Sequence, residues 1–163
     1  RTLEAISGVP GRRICLSPRG RRFDQAFAKE LAHEPGVVLV CGRYEGIDQR
    51  VIEAREMEEV SLGDFVLTGG EIAAQALLDA TVRLLPGVIG SEQGLNEESF
   101  EDGLLEYPQY THPKIWKGRS VPEVLLSGNH KKIAEWKKQQ SELVTRNYRP
   151  DLWEAYEGVK VQI

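Results

Sequence analysis

Five consecutive apolar residues, Val-Val-Leu-Val-Cys at 37–41, follow one another with no polar residue between them. A strand with one face in water alternates apolar and polar residues, whereas a parallel strand covered by helices on both faces does not. The run therefore predicts a strand buried on both faces of a parallel sheet. This interpretation places the chain in the α/β fold class, where helices alternate with the strands.

Short strands and helices alternate on either side of this run. Residues 13–16 predict a strand that a Ser-Pro-Arg-Gly turn at 17–20 ends. Apolar residues that recur every four positions predict an amphipathic helix over 22–33. The same criteria predict the remaining elements of this half: helices over 47–54 and 71–85, and short strands at Val60 and at 65–67.

The helix predicted over 71–85 is apolar on most of its sides. Ile72, Leu77, Leu78 and Val82 stand among several alanines. A helix with so wide an apolar face is expected to be buried. The pattern is compatible with two locations of this helix: a subunit interface or the centre of a core.

Three of the predicted strands are followed by loops that contain glycine, at 16–20, 42–46 and 62–70. Ligands of open α/β sheets bind beyond the carboxyl ends of the strands, and glycine lets main-chain groups approach a ligand closely. Each loop alone fits a simple turn, but together they predict a pocket that reads a ligand such as adenine through the main chain. No Gly-x-Gly-x-x-Gly and no phosphate-binding Gly-Lys-Ser/Thr occurs, which disfavours a dinucleotide or a triphosphate.

The composition and motifs of the chain argue against several other classes of protein. No apolar run among the 163 residues approaches the roughly twenty that a membrane-spanning helix requires. The two cysteines make no disulfide or metal framework, and the three histidines, His33, His112 and His130, lack metal-ligand spacing. No Gly-x-Ser-x-Gly nucleophile elbow occurs. We therefore expect a cytoplasmic protein without a membrane segment or a metal site.

Charge is distributed unevenly along the chain. The net charge is −4, yet residues 103–150 hold nine of the 21 Lys and Arg and only four of the 25 Asp and Glu. Such a segment predicts a basic surface of the kind that binds nucleic acid. Residues 91–102 are polar and acidic and are interpreted as a linker, and a basic helix over 130–144, capped from 127–129, is predicted beyond it. Its candidate core residues are Ile133, Trp136, Leu143 and Trp153.

Arg83 ends the helix predicted over 71–85 and lies four residues after Asp79. An ion pair at this spacing contributes only about 0.3 kcal/mol. A fixed guanidinium at the end of that helix would also stabilise charge that develops on a substrate oxygen. The residues alone leave both roles open.

Six stretches that span nearly the whole chain resemble one family. They are Leu-Ser-Pro-Arg-Gly at 16–20, Leu-Val-Cys-Gly-Arg-Tyr-Glu-Gly-Ile-Asp at 39–48, Leu-Gly-Asp-Phe-Val-Leu-Thr-Gly-Gly-Glu at 62–71, Leu-Pro-Gly-Val-Ile-Gly at 85–90, Asp-Gly-Leu-Leu-Glu-Tyr-Pro-Gln-Tyr-Thr at 102–111 and Val-Leu-Leu-Ser-Gly-Asn-His at 124–130. Together they resemble the bacterial tRNA (guanine-N1)-methyltransferases, which belong to the trefoil-knot SPOUT methyltransferases.

The resemblance implies a SPOUT α/β-knot: a parallel sheet with a deep trefoil knot at 1–90, a flexible linker at 91–102, and a small, mainly helical C-terminal tRNA-binding domain at 103–163. It also implies a homodimer that binds S-adenosyl-L-methionine in the knot. From the resemblance we expect fourteen residues of this chain to form the cofactor pocket. They are Leu16, Ser17, Pro18, Gly42, Tyr44, Glu45, Gly46, Leu62, Gly63, Phe65, Leu67, Gly69, Gly70 and Pro86.

The implied reaction is methyl transfer from S-adenosyl-L-methionine to N1 of guanine 37 in tRNA, next to the anticodon. N1 becomes nucleophilic only when its proton leaves, so a carboxylate is needed as general base. The resemblance implies that Arg83 stabilises the negative charge that develops on O6. The usual base of the family is an aspartate that precedes Ser-Phe. Glu98 occupies that position in this chain, and we favour it over Asp102.

The anticodon stem-loop of tRNA is the implied partner of the C-terminal domain. Its candidate phosphate contacts are Lys131, Lys132, Lys137, Lys138, Arg146 and Arg149. Members of the family begin with a further N-terminal segment that includes a strand, so we expect this chain to be N-terminally incomplete. Two alternatives stay open: another knotted methyltransferase that acts on ribose or ribosomal RNA, and a non-catalytic RNA-binding module.

Overall fold

The computed structural model of the chain describes residues 8–90 and 98–160. The chain divides into two compact units, with the boundary between Gly90 and Ser91. The first unit combines strands and helices, and the second is mainly helical.

A three-stranded sheet forms the centre of the first unit. Its strands are β1 (Arg12–Arg22), β2 (Val37–Cys41) and β3 (Glu58–Ser61), in the order β2-β1-β3. The central strand, β1, pairs in parallel with both neighbours. The predicted α/β class with a parallel sheet is therefore confirmed.

Three helices follow the strands: α1 (Gln25–Ala32), α2 (Gln49–Ala54) and α3 (Glu71–Val82). Aspartates cap the first two, because the carboxylate of Asp24 accepts a hydrogen bond of 2.8 Å from the amide of Phe27, and that of Asp48 one of 2.9 Å from the amide of Arg50. A side-chain oxygen at this position satisfies one of the amides that the first helical turn leaves unbonded. All three helices lie within the ranges that the sequence predicts.

The sheet has an apolar cluster on each face. Ile14 and Cys15 are neighbours in β1, so their side chains point to opposite faces. The first cluster consists of Ile14, Phe27, Leu31, Val60 and Leu77, and the second of Cys15, Ile52 and Met57. Helices α1 and α3 thus cover one face, and α2 covers the other.

Three predictions about this unit are wrong. The first strand does not end after Leu16, because it continues through 17–20 as a bulge, with both Leu16 and Arg21 paired to Val60. Strand β2 packs on both faces of the sheet, through Val37 and Leu39 on one face and Val40 on the other, but its expected full burial is wrong. Each of its residues is half-buried because β2 lies at the edge of the described sheet. Residues 65–67 form no strand, since no described strand pairs with them.

A hairpin and three helices form the second unit. The hairpin consists of β4 (Ile115–Trp116) and β5 (Arg119–Ser120), and the helices are α4 (Glu123–Leu126), α5 (His130–Tyr148) and α6 (Pro150–Lys160). Asn129 caps α5 by accepting a hydrogen bond of 3.1 Å from the amide of Lys132, as predicted. The hairpin, α4 and α6 are not among the predicted elements, and α5 continues to Tyr148, beyond the predicted end at 144. Within 8–90 and 98–160, no helix combines the length and the apolarity needed to cross a membrane.

The side chains of Trp136 and Thr145 on α5 organise the packing of the second unit. The ring centroid of Trp136 lies 6.5 Å from that of Tyr107 and 6.2 Å from that of Tyr110. Thr145 is completely buried. Leu143, which was predicted to belong to this core, is exposed.

The segment at 98–104 overlaps the end of the predicted linker. The amide of Phe100 donates a hydrogen bond of 2.7 Å to the carbonyl of Leu104, and the amide of Glu106 donates one of 2.9 Å to Ser99 Oγ. Leu104 is buried. These residues are therefore folded, whereas 91–97, the rest of the predicted linker, lie outside the described residues.

Candidate active site

A cavity of about 430 Å³ lies in the first unit, between the bulge of β1 and the loops that follow β2 and β3. Pockets for small molecules and cofactors have volumes of about 300–1,000 Å³. The two loops follow the carboxyl ends of their strands, where open α/β sheets bind ligands. The cavity is therefore the candidate ligand site of this unit.

Thirteen of the fourteen residues carried over to the cofactor pocket line this cavity. They are Leu16, Ser17, Pro18, Gly42, Tyr44, Glu45, Gly46, Leu62, Gly63, Phe65, Leu67, Gly69 and Gly70. The fourteenth, Pro86, is not among the lining residues and lies beyond the end of α3. The tertiary structure thus brings together three loops that are well separated in sequence.

Two of these loops are joined directly. The amide of Gly70 donates a hydrogen bond of 3.2 Å to the carbonyl of Gly42, and Arg43 forms an isolated β-bridge with Gly69. The Arg43 guanidinium also binds the carboxylate of Glu71 at 2.7 Å. A hydrogen bond from its own backbone amide and this contact with Arg43 lower the pKa of Glu71. The loop after β2 is therefore held against the start of α3.

The chain segments around the cavity approach one another closely at Gly70. A Cβ atom at this position would lie 2.9 Å from the Cα of Cys41 and 3.4 Å from the Cβ of Leu16. A contact of 2.9 Å with backbone requires the backbone to move, so only glycine fits the observed arrangement. The shape of the cavity thus depends on the absence of a side chain at Gly70.

Tyr44 lies at the rim of the cavity in a costly backbone conformation. Its φ is 57°, and its side chain is fully exposed. A non-glycine residue in the left-handed region costs about 1 kcal/mol or more, and such residues cluster at ligand sites. The loop that carries Tyr44 therefore has the features of a ligand-contacting segment.

The cavity also contains polar residues that the sequence did not single out. Arg19 Nη2 donates hydrogen bonds to Glu59 Oε1 at 2.9 Å and to Gln49 Oε1 at 3.4 Å. The sequence offered no signal for this cluster, because Arg19 falls in the predicted turn and its two partners come from separate elements. Cys15 lines the cavity as well, and burial raises the pKa of its thiol, which favours the unreactive protonated form.

The three candidate catalytic residues are divided between the units. Arg83 forms the C-cap of α3 in the first unit and is half-buried. Glu98, which is half-buried, and Asp102, which is exposed, belong to the second unit. Arg83 is not among the residues that line the cavity. Within the described ranges, no group of three or more His, Cys, Asp or Glu is placed to hold a metal ion.

The candidate phosphate contacts lie on α5 or just beyond it. Four are exposed on the helix: Lys131, Lys132, Lys138 and Arg146. Lys137 is half-buried, with its Nζ 4.6 Å from the ring centroid of Tyr107. Arg149 binds Asp151 at 2.5 Å, a contact that lowers the pKa of Asp151. The structure therefore leaves four of the six cations in solvent on one helix.

Comparison with known proteins gives a family that covers both units. The sequence model of the family described as tRNA (Guanine-1)-methyltransferase TrmD matches residues 2–155. This range includes all thirteen cavity residues carried over from the sequence, Arg83 and the two candidate bases.

Several bacterial proteins named tRNA (guanine-N(1)-)-methyltransferase are similar to most of the chain. The Ruegeria pomeroyi protein is 62% identical over 147 residues, which cover 90% of this chain and 60% of that protein. The Cereibacter sphaeroides protein (strain KD131) is 57% identical over 162 residues, covering 96% of this chain and 65% of that protein. The Bartonella tribocorum protein is 59% identical over 145 residues, covering 89% and 62%. The chain spans less than two thirds of the length of these curated relatives, and it belongs to the tRNA (guanine-N1)-methyltransferase family.

Proposed function

We propose that this chain carries the cofactor-binding and tRNA-binding parts of a cytoplasmic enzyme that transfers a methyl group from S-adenosyl-L-methionine to N1 of guanine 37 in tRNA. The observation that carries the proposal is the single cavity lined by thirteen of the fourteen expected cofactor residues. The names of the relatives support the same reaction.

The residues of the cavity fit S-adenosyl-L-methionine. The glycine-containing loops present backbone N–H and C=O groups, which suit the donors and acceptors on the edge of adenine. Glu45 lines the cavity and offers a carboxylate to a ligand that carries a sulfonium and an ammonium group, whereas the carboxylate of Glu59 is paired with Arg19. When bound, S-adenosyl-L-methionine supplies an electrophilic methyl group.

The groups that act on guanine come from this chain. The carboxylate of Glu98 accepts the proton of N1 as the nitrogen forms its bond to the methyl carbon. The guanidinium of Arg83 stabilises the negative charge that is shared with O6 during proton loss. Asp102 is the second candidate for the base. Glu98 is favoured because it stands directly before Ser99-Phe100, the place of the family's carboxylate.

The fold of the first unit is proposed to contain the trefoil knot of the SPOUT methyltransferases. In such a knot, the glycine loops after two strands pass through one another. The hydrogen bond between Gly70 and Gly42 and the β-bridge between Arg43 and Gly69 support this proposal, since they place the two loops in direct contact.

The active form is proposed to be a homodimer that uses the outer face of α3. The inner face is buried through Ala73, Ala74, Leu77 and Thr81. Ile72, Leu78 and Val82 are large apolar residues exposed on the same helix, and Leu85 is exposed just beyond it. Large apolar side chains exposed along one helix are typical of subunit interfaces. A second copy of the chain is the partner that the proposal names.

The exposed cations of α5 are proposed to contact phosphates of the anticodon stem-loop. Lys131, Lys132, Lys138 and Arg146 project from one helix without burial. Phosphate contacts of this type give affinity that falls steeply with salt, and they carry little sequence information.

The test is methylation of two tRNA transcripts that differ only in having guanine or adenine at position 37. With S-adenosyl-L-methionine present, we expect methyl transfer to the guanine transcript alone. Calorimetry gives the matching binding measurement. Methylation of both transcripts would favour a ribose or ribosomal RNA methyltransferase, and tRNA binding without cofactor binding would favour a non-catalytic RNA-binding module.

A further inference from the structure

The β4–β5 hairpin of the second unit has an unusual turn. Ile115 pairs with Ser120 and Trp116 with Arg119, so only Lys117 and the following glycine form the turn. The φ of Lys117 is 49° and that of the glycine is 78°, as a two-residue type I′ turn requires. Asn or Asp is the usual residue at the first of these positions, and lysine there is conformationally costly. Strain of this kind is retained where the side chain has a role.

The same hairpin exposes two large apolar side chains. Ile115 is 64% exposed and Trp116 is 55% exposed. Two strands of two residues each are too short to be stable by their own pairing. An indole that is half in solvent therefore adds little to the core of the unit. Part of the indole surface therefore lies in solvent.

The surroundings of Trp116 are positively charged. The Nζ of Lys117 lies 5.0 Å from the ring centroid of Trp116, and Lys114 and Arg119 flank the two residues in sequence. The segment 107–122 contains no Asp or Glu. A protein surface that combines an exposed aromatic ring with several cations matches single-stranded nucleic acid, because bases stack on the ring while phosphates contact the cations.

We propose that Trp116 is a stacking platform for an unpaired RNA base, with the base on the ring face opposite Lys117 and with Lys114 and Arg119 placed for the neighbouring phosphates. This surface is separate from the exposed cations of α5 assigned above. The inference rests on the proposed function, because it names the part of the RNA that the second unit recognises: a nucleotide outside a duplex.

The experiment measures binding of the guanine-37 tRNA transcript, an eight-nucleotide single-stranded oligouridine and an eight-base-pair RNA duplex to the intact chain. We expect Trp116→Ala to weaken binding of the transcript and of the oligouridine by about tenfold to a hundredfold, and binding of the duplex by less than about twofold. Trp116→Phe keeps a ring and should retain most of the affinity. Leu126→Ala removes a side chain of similar exposure and is the matched control.

Salt dependence separates stacking from charge. Trp116→Ala should leave the slope of log affinity against log salt unchanged, whereas Lys114→Gln should reduce the slope by about one. Circular dichroism melting of each variant shows whether the second unit is folded.

Each outcome has one interpretation. If the unaltered chain binds no tRNA, the proposed function of the chain fails. If it binds tRNA and folded Trp116→Ala binds the transcript equally well, only the stacking platform fails. Equal loss for duplex and single strand would also overturn it. The stacking platform is also contradicted if Trp116→Ala changes the self-association of the chain but not its RNA affinity. Size-exclusion chromatography with light scattering measures the self-association.

Discussion

The hydroxyl of Thr145 accepts a hydrogen bond of 2.7 Å from the backbone amide of Leu105, which lies forty residues earlier in the chain. The same hydroxyl donates to the carbonyl of Ser141, one turn back along α5, also at 2.7 Å. Thr145 is completely buried. One side chain therefore ties α5 to the segment that begins at Glu98.

Thr145→Val is expected to destabilise the second unit. Valine keeps the shape of threonine but leaves the half-buried amide of Leu105 without this acceptor, which costs about 1–3 kcal/mol. Chemical denaturation monitored by circular dichroism measures the change. Thr145→Ser retains the hydroxyl and is the control. Equal stability of the valine variant and the unaltered chain would show that the hydrogen bond does not anchor the segment.

Gly70→Ala is expected to weaken binding of S-adenosyl-L-methionine by at least about tenfold. The added Cβ would lie 2.9 Å from the backbone of Cys41, so the loops that line the cavity must separate. Overpacking of this kind costs about 1–3 kcal/mol. Isothermal titration calorimetry gives the affinity. Gly90→Ala adds the same methyl group where no atom lies within 4 Å, and it should bind normally. Unchanged affinity of the Gly70 variant would contradict the assignment of this cavity.

Glu98→Gln is expected to lower kcat by about 10² to 10⁴, the usual contribution of general base catalysis. The amide keeps the size of the carboxylate but cannot take the proton from N1. Asp102→Asn removes the other candidate carboxylate and should leave kcat within about a factor of two. Single-turnover methylation of the guanine-37 transcript measures both. Full activity of Glu98→Gln, or a larger loss with Asp102→Asn, would assign the base to Asp102 or to another group.

Low pH is expected to reduce the folding stability of the first unit, because Glu30 becomes protonated. Hydrogen bonds from Arg21 and then Arg12 lower the pKa of Glu30 from its ordinary value of 4.5. A carboxylate with a lowered pKa in the folded state contributes stability above its unfolded pKa, and that contribution is lost as the pH falls through the folded value. Glu30→Gln should therefore melt below the unaltered chain at pH 7, and the difference should shrink below about pH 4.

Glu53→Gln is the control for this measurement. Glu53 is exposed, and its carboxylate accepts a hydrogen bond of 3.2 Å from the neutral side chain of Gln49. Its melting temperature is the reference for the loss of one exposed carboxylate. A Glu30 variant whose melting difference stays constant from pH 7 to pH 3 would contradict the role given to the Arg21 and Arg12 contacts.

Leu78→Lys is expected to convert the proposed dimer into a monomer. A lysine buried at an interface without a partner costs several kcal/mol, which raises the dissociation constant by more than about a hundredfold. Size-exclusion chromatography with light scattering measures the mass. Val159→Lys changes an exposed apolar residue of α6 and should leave the dimer intact. A monomeric unaltered chain, or a dimer that survives Leu78→Lys, would contradict the use of this face.

Elements whose formation depends on residues close together in the chain can be predicted from the sequence. The strand at 37–41, the helices of the first unit and the cap at Asn129 were predicted because side-chain periodicity and capping act within a few residues. The three glycine loops were also recognised as candidate ligand contacts. Their main-chain chemistry is visible in the sequence as glycine at the end of each predicted strand.

Other features depend on contacts between distant residues, and only the tertiary structure decided them. The bulge at 17–20 arises because Leu16 and Arg21 both pair with Val60. The half-burial of β2 follows from its place at the edge of the sheet, which the composition of the strand does not encode. The pairing of Arg19 with Glu59 and the burial of Thr145 have the same origin.

The sequence by itself determined the α/β class, the glycine-containing loops after the strands and the basic character of residues 103–150, because these reside in local pattern and composition. The tertiary structure decided that the loops enclose one cavity and that Gly70 must lack a side chain there. It also decided that Trp116 is exposed beside Lys117. The exposure of a side chain and the close approach of two loops depend on which distant segments of the chain are in contact. Hydrophobic periodicity carries no information on these contacts.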